Sequence, residues 1–222
     1  MSRRGLEPID RISNFANNSN IVMSIKDRKL RQQQQLRNAI LEATKSIAAE
    51  DGFEAITMRR IADEIEYSLP VIYKYFTNKE AIIAEIAKEG FLELQETLAK
   101  AGKSGKNYTE AAINMATAYV EYAIEKPSMY RAMFNQNGVI NHDSEILKES
   151  EDAFDFIAAF FQDLKDRLGA KIDNVHDTTE LVWSSFHGLA SLVLINRINR
   201  GKVRYKELAE RMILNFLQLW EI

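Results

Sequence analysis

The 222-residue chain has no cysteine. Disulfides and thiolate metal sites are therefore excluded, and nothing points to an oxidising compartment. Three prolines and nine glycines leave few turn dipeptides, and period-two alternation is scarce, so no strand signal survives. No apolar run reaches the ~18 residues of a membrane span. The opening residues lack the charged, apolar and small-residue succession of a signal peptide. These absences lead to the expectation of a soluble cytoplasmic protein. There is no phosphate-cradling Gly-rich loop and no Ser/His/Asp motif context, so neither an enzyme nor a cofactor is expected.

What is present is helical patterning over a hydrophobic content of 46%, enough for a substantial core. The total charge of −3 is unevenly divided. Residues 1–80 carry 13 Lys+Arg against 11 Asp+Glu, or +2, and the remainder carries 16 against 21, or −5. The basic end suits nucleic acid and the acidic end does not.

Thr57 to Glu80 carries the most information: TMRRIADEIEYSLPVIYKYFTNKE. Thr57 is a good N-cap, because its hydroxyl can accept an orphan backbone N–H. Met58, Ile61, Ala62 and Ile65 then recur at helical spacing. The stripe stops at Glu66-Tyr67. Ser68 can cap a second helix, in which Pro70 is tolerated because first-turn N–H groups lack helical partners. Val71, Ile72 and Phe76 should face inward, which leaves Leu69, Pro70, Tyr73 and Lys74 outward. Two short helices with a basic, aromatic second member suit the major groove of DNA, as in the helix-turn-helix. Thr77 and Glu80 have capping-box spacing, so another helix begins there. Lys79 adds full charge to a helix start that favours phosphate. Upstream, Ser24 to Arg37 holds Lys26, Arg28, Lys29, Arg31 and Arg37 against Asp27 alone, a net +4 arm that can neutralise phosphates.

These residues resemble the TetR (tetracycline-repressor-like) family of transcriptional regulators. The likeness runs from the helix Leu36–Glu50, through Gly52-Phe53, Thr57-Met58-Arg59-Arg60-Ile61-Ala62 and Ile72-Tyr73-Lys74-Tyr75-Phe76, to Asn78-Lys79-Glu80. Glu66 stands where the turn generally has Gly, and Pro70 where the recognition helix often has Gly. The resemblance implies DNA contacts by Thr57 and Arg59, by Ser68, Leu69, Pro70, Tyr73, Lys74 and Tyr75, and by Lys79. The basic arm contributes Lys26 and Arg28. It also implies a homodimer, a palindromic operator and a repressor answering a small molecule. Trp183, His187 and Gly188 resemble the Trp…His-Gly signature of one C-terminal domain type of the family.

The expected organisation is all-α. Residues 1–23 form a flexible extension, residues 24–80 a three-helix DNA-binding head, and residues 81–222 a helical body for effector binding and dimerisation. The body reads as helices near Asn78–Lys100, Tyr108–Glu125, Ser128–Phe134, Ser144–Leu168, Asp173–Arg197 and Tyr205–Leu219. The Gly102-Lys103-Ser104-Gly105 connector should be flexible, and Asn135–Asp143 should be a loop. The helix holding LVWSSFHGLASLVLINRI is apolar most of the way round. It and the last helix are expected to form a four-helix interface between two chains. Candidate effector-lining residues are Tyr119, Tyr122, Met129, Tyr130, Met133, Phe134, Phe160, Trp183, Phe186 and His187, apolar groups several of which carry polar tips. The effector is expected to be hydrophobic or amphipathic.

The competing readings are a helical metalloprotein and a scaffold that does not bind DNA. His176 and Glu180 lie four apart on one helix, but paired Glu-x-x-His motifs are missing. Glu151, Asp152 and Asp155 read as a solvated face.

Overall fold

The computed structural model describes residues 25–134, 144–198 and 202–222. The 1–23 extension and the 135–143 loop expected from sequence lie outside these residues. All described elements are helical: α1 (Ile25–Asp51), a 3-10 turn (Phe53–Ala55), α2 (Met58–Glu64), α3 (Leu69–Ile72), α4 (Lys79–Lys103), α5 (Tyr108–Glu125), α6 (Pro127–Met133), α7 (Ser144–Leu168), α8 (Val175–Leu194) and α9 (Lys202–Leu219).

The chain divides into two compact units, residues 1–39 and 40–222. In the first, residues 25–39 are the leading turns of α1. The basic arm is thus helical from Ile25, as its run of Arg, Lys and Gln favours. Arg28, Lys29 and Arg31 are exposed along it. In the second unit, Ile40, Leu41, Thr44, Ile47 and Ala48 supply a buried stripe on the rest of α1. Gly52, with φ 83°, then turns the chain out of the helix.

Thr57 caps α2, its hydroxyl accepting from the Arg60 N–H at 3.1 Å. The other end of α2 closes as a Schellman motif. Tyr67 N–H donates to Ala62 O at 2.9 Å, and Glu66 N–H to Asp63 O at 3.2 Å. That motif needs a left-handed residue, and the residue there is Glu66, with φ 58°. A non-glycine residue in this region is disfavoured by about 1–2 kcal/mol. The turn sets the angle at which α3 leaves α2, so this strained position determines how α3 is presented.

In the body, α4 packs on α5, α6 and α7, and α5 also packs on α8 and α9. α6 lies so close to α4 that a Cβ on Gly90 would stand 2.7 Å from the Met133 side chain and 2.9 Å from that of Met129. Tyr122 fastens the same crossing by donating its hydroxyl to Gly90 O at 3.0 Å. The α4–α5 connector is a tight turn and not a flexible tether. α4 continues through Gly102 to Lys103, and a Cβ on Gly105 would collide with the backbone of Ala111.

A chain of polar rings links α5, α6 and α8. Trp183 Nε1–H donates to the Tyr119 hydroxyl at 2.8 Å. The Tyr119 and Tyr130 hydroxyls are 3.1 Å apart, and Tyr130 reaches His187 Nδ1 at 2.7 Å. Ser191 Oγ lies 3.5 Å from His187 Nε2. Among the described residues, no buried side-chain polar atom lacks a partner. Burial raises the Tyr119 and Tyr130 hydroxyls well above the usual phenol range and lowers His187 below the usual imidazole value. Every hydroxyl proton of the chain finds an acceptor when His187 is the neutral Nε2–H tautomer, which fixes one proton direction. Trp183 donates to Tyr119, Tyr119 to Tyr130 and Tyr130 to Nδ1, while Nε2–H faces Ser191. Protonating Nδ1 would reverse the Tyr130 bond and leave a buried hydroxyl proton without an acceptor.

Two outcomes test this account. Glu66→Gly should stabilise the protein by about 1 kcal/mol, raising Tm by roughly 2–4 °C. Glu66→Ala, which removes the same charge but retains a Cβ, should give no such gain. The second concerns pH. His187 is lowered in the folded state, so the unfolded chain binds its proton more readily. Its contribution is complete above the unfolded value of about 6.5 and is lost as pH falls through the folded value. Thermal unfolding between pH 7.5 and 5 should show stability falling with acidification. The slope should be shallower in His187→Gln.

Candidate nucleic-acid interface and ligand cavity

α3 is a single helical turn prolonged by tighter bonding. Tyr73 N–H donates to Leu69 O at 3.3 Å and Lys74 N–H to Val71 O at 3.1 Å. Tyr75 and Phe76 N–H both reach Ile72 O. Tyr73, Lys74 and Tyr75 therefore stand just after the helix proper. Ile72 and Phe76 anchor the segment as buried residues. Pro70, Tyr73 and Lys74 are exposed, with Tyr73 at 51%, while Leu69 and Tyr75 are half-buried. Ser68 occupies the cap position with extended backbone, but its side chain makes no capping bond.

Thr57 and Arg59 are also exposed at the start of α2. The neighbouring Arg60 is engaged by Asp51, a pairing that sequence spacing did not reveal. At α4, the capping residue is Asn78, one position beyond the capping-box start read from Thr77. Its side chain accepts from Ala81 N–H at 2.8 Å. Lys79 follows as the first helical residue, beside N–H groups with no helical partner. Thr57, Arg59, Ser68, Leu69, Pro70, Tyr73, Lys74, Tyr75 and Lys79 thus fall on two helix starts and one short turn. Arg28 is exposed on the leading turns of α1, and Lys26 lies in its first turn.

The aromatic residues singled out in the body divide into two sets. Tyr119, Phe160, Trp183 and Phe186 line an apolar cavity of about 50 Å³. Tyr130 and Phe134 stand behind its wall, against Tyr119 and Trp183, and His187 stacks on Tyr130, while Tyr122, Met129 and Met133 are buried beside Gly90 of α4. Tyr122 is bonded to α4, as above. Phe134 packs edge-on to Phe91 and Trp183, 5.6 and 6.1 Å away. Met115, Ile157 and Val182 complete much of the lining. In sequence they look like any inward-facing apolar residue of an amphipathic helix, so only the packing shows which of them border a void.

α8 exposes Leu181 at 64% and Leu192 at 43%, and Ile195, which caps its C-terminus, is exposed at 58%. With Ser185 and Gly188 these form one stripe at three- and four-residue spacing, and a Cβ on Gly188 would meet nothing within 4 Å. Leu214 and Leu219 are exposed on α9. His176 and Glu180 are exposed and 3.9 Å apart, with Asp177 beside them, all on a solvated face. Among the described residues, no helix is long and apolar enough to cross a membrane.

Comparison with known proteins agrees with this geometry. Residues 40–86 match the model of bacterial regulatory proteins of the tetR family, and residues 112–216 match that of the tetracyclin repressor-like C-terminal domain. The chain is 29% identical over 93 residues to an uncharacterized HTH-type transcriptional regulator, YobS, of Bacillus subtilis, covering 42% of this chain and 48% of that protein. It is 34% identical over 58 residues to the HTH-type transcriptional repressor KstR of Mycobacterium tuberculosis, covering 26% of each. The matches thus span half or less of these curated relatives. The crystal structure of a TetR family transcriptional regulator, PfmR, from Thermus thermophilus has the same fold. Its TM-score is 0.64 at 20% identity, over 81% of this chain and 97% of that one. Two family models lying in order along a chain with this all-helical architecture make it a member of the TetR family of bacterial regulatory proteins, which are transcriptional regulators and not enzymes.

Proposed function

We propose that this protein is a DNA-binding repressor that acts as a homodimer on a palindromic operator and is released by a small apolar or amphipathic effector. The observation that carries the reading is the α3 surface. Pro70, Tyr73 and Lys74 project from a segment anchored by Ile72 and Phe76, and Arg59 and Lys79 are offered from two neighbouring helix starts. Tyr73 supplies contact to bases or sugar. Lys74, Lys79 and Arg59 supply phosphate neutralisation, as do Lys26 and Arg28 on α1. The name of the Mycobacterium relative supports the sign of regulation.

A two-fold operator calls for two heads. The apolar stripe of α8, with small residues at Ser185 and Gly188, suits close approach of a second α8, and α9 adds Leu214 and Leu219. The half-site centres should lie about 34–36 Å apart or a multiple of this. The effector must bind the DNA-free arrangement more tightly than the DNA-bound one, since a ligand of equal affinity for both shifts nothing.

Lys74→Ala and Lys79→Ala should each weaken operator binding and reduce the slope of log K against log salt by about one unit. An unchanged slope in both variants would refute the DNA-contact assignment. For assembly, Leu192→Glu places a charge in the α8 stripe at a position already exposed, so the fold should survive. Sedimentation should show the wild type as a dimer at micromolar concentration and the variant as a monomer with weakened operator binding. A wild type that sediments as a folded monomer overturns the dimer reading.

A further inference from the structure

The apolar cavity has a second compartment in front of it. Met115 and Phe160 line the cavity, and the same two side chains form part of the wall of a cleft of about 580 Å³. The cleft lies between the α4–α5 turn and α7. The two volumes decide what each compartment can do. The inner cavity, about 50 Å³, admits one or two waters. A small-molecule site needs roughly 300–1,000 Å³, and that space exists in the cleft.

The cleft is amphipathic along its length. Its inner wall is Ala111, Met115, Phe156, Ala159 and Phe160. Its outer end carries Lys103, Lys106 and Asn107, where α4 stops and α5 starts. The wall holds one carboxylate, Asp163, and its charge is already engaged. The Tyr108 hydroxyl donates to it at 2.7 Å, and Arg167 Nε–H donates at 2.7 Å. The nearby Glu110 carboxylate accepts from Lys106 N–H at 2.9 Å. Lys103, Lys106 and Arg167 against Asp163 and Glu110 leave the mouth with a net charge of +1. The close fit of Gly105 on Ala111 makes this mouth a defined turn.

Resting on the effector-responsive reading above, we propose that the ligand is an amphipathic monoanion that enters through this cleft. Its anionic head lies at Lys103 and Lys106. Its apolar body runs along Ala159 and Phe156 and displaces Met115 and Phe160 to reach the inner cavity. Met is suited to such a gate, because its unbranched side chain repacks easily.

Dodecanoate is the probe, with uncharged dodecanol as its control, and binding is read by calorimetry on the full chain. Dodecanoate should bind with a strong dependence on salt. In the Lys103→Ala/Lys106→Ala double variant its affinity should fall about fivefold, while dodecanol affinity stays unchanged. Ala159→Trp fills the cleft from an exposed position and should abolish dodecanoate binding with operator binding intact. Ala116→Trp, which fills the inner cavity, should weaken dodecanoate binding as well. Failure of dodecanoate to bind, or equal losses for both probes in the double variant, overturns the proposal. If Ala116→Trp blocks binding and Ala159→Trp does not, the cleft route is wrong and the effector cavity stands. If neither does, both readings fall.

Discussion

The Trp183–Tyr119–Tyr130–His187 chain constrains the rest of the body. Four polar rings placed in an apolar interior are tolerable only when each donor meets an acceptor, because every orphaned group would cost about 1–3 kcal/mol. The bonds run between α5, α6 and α8, so those three helices are held to one another within hydrogen-bond tolerance. The cavity wall formed by Tyr119, Trp183 and Phe186 inherits that rigidity, and so does the face of α8 carrying Leu181 and Leu192. Apolar packing alone would let these helices slide by small increments. Directional bonds give the body one register.

Much of this architecture is legible in the sequence because periodicity and capping are local. α5 and α7 have the limits their patterning indicates, and Thr57 caps α2 as its position suggests. Ile72 and Phe76 are buried as the stripe requires. The misses have identifiable causes. Thr77 and Asn78 are both good cap residues, and the choice between them rests on backbone geometry that spacing does not encode. The arm beginning at Ile25 is helical because Arg, Lys and Gln are good helix formers, although its charge draws attention to phosphate first. Glu66 adopts a left-handed conformation because the turn demands one whatever residue sits there.

The interior was harder to read. Aromatic residues clustered on α5, α6 and α8 mark a region of the body, but they do not distinguish a cavity wall from the support behind it. Tyr119 and Tyr130 look alike in sequence. One borders the void, and the other is turned toward His187. The cleft was not foreseen at all, because it depends on where the α4–α5 turn meets α7, more than fifty residues later in the chain.

α4 begins at the Asn78 cap, within the helix-turn-helix segment, and ends at Lys103 on the mouth of the cleft. Its 25 residues contain no proline and extend about 37 Å at ~1.5 Å per residue. Ile82, Ile86, Phe91, Leu94 and Leu98 are buried along it. Gly90, near its midpoint and one of its two glycines with Gly102, is clamped by Met129, Met133 and the Tyr122 hydroxyl. A rod gripped near its centre behaves as a beam on a fulcrum. A tilt imposed at either end would appear at the other with opposite sign.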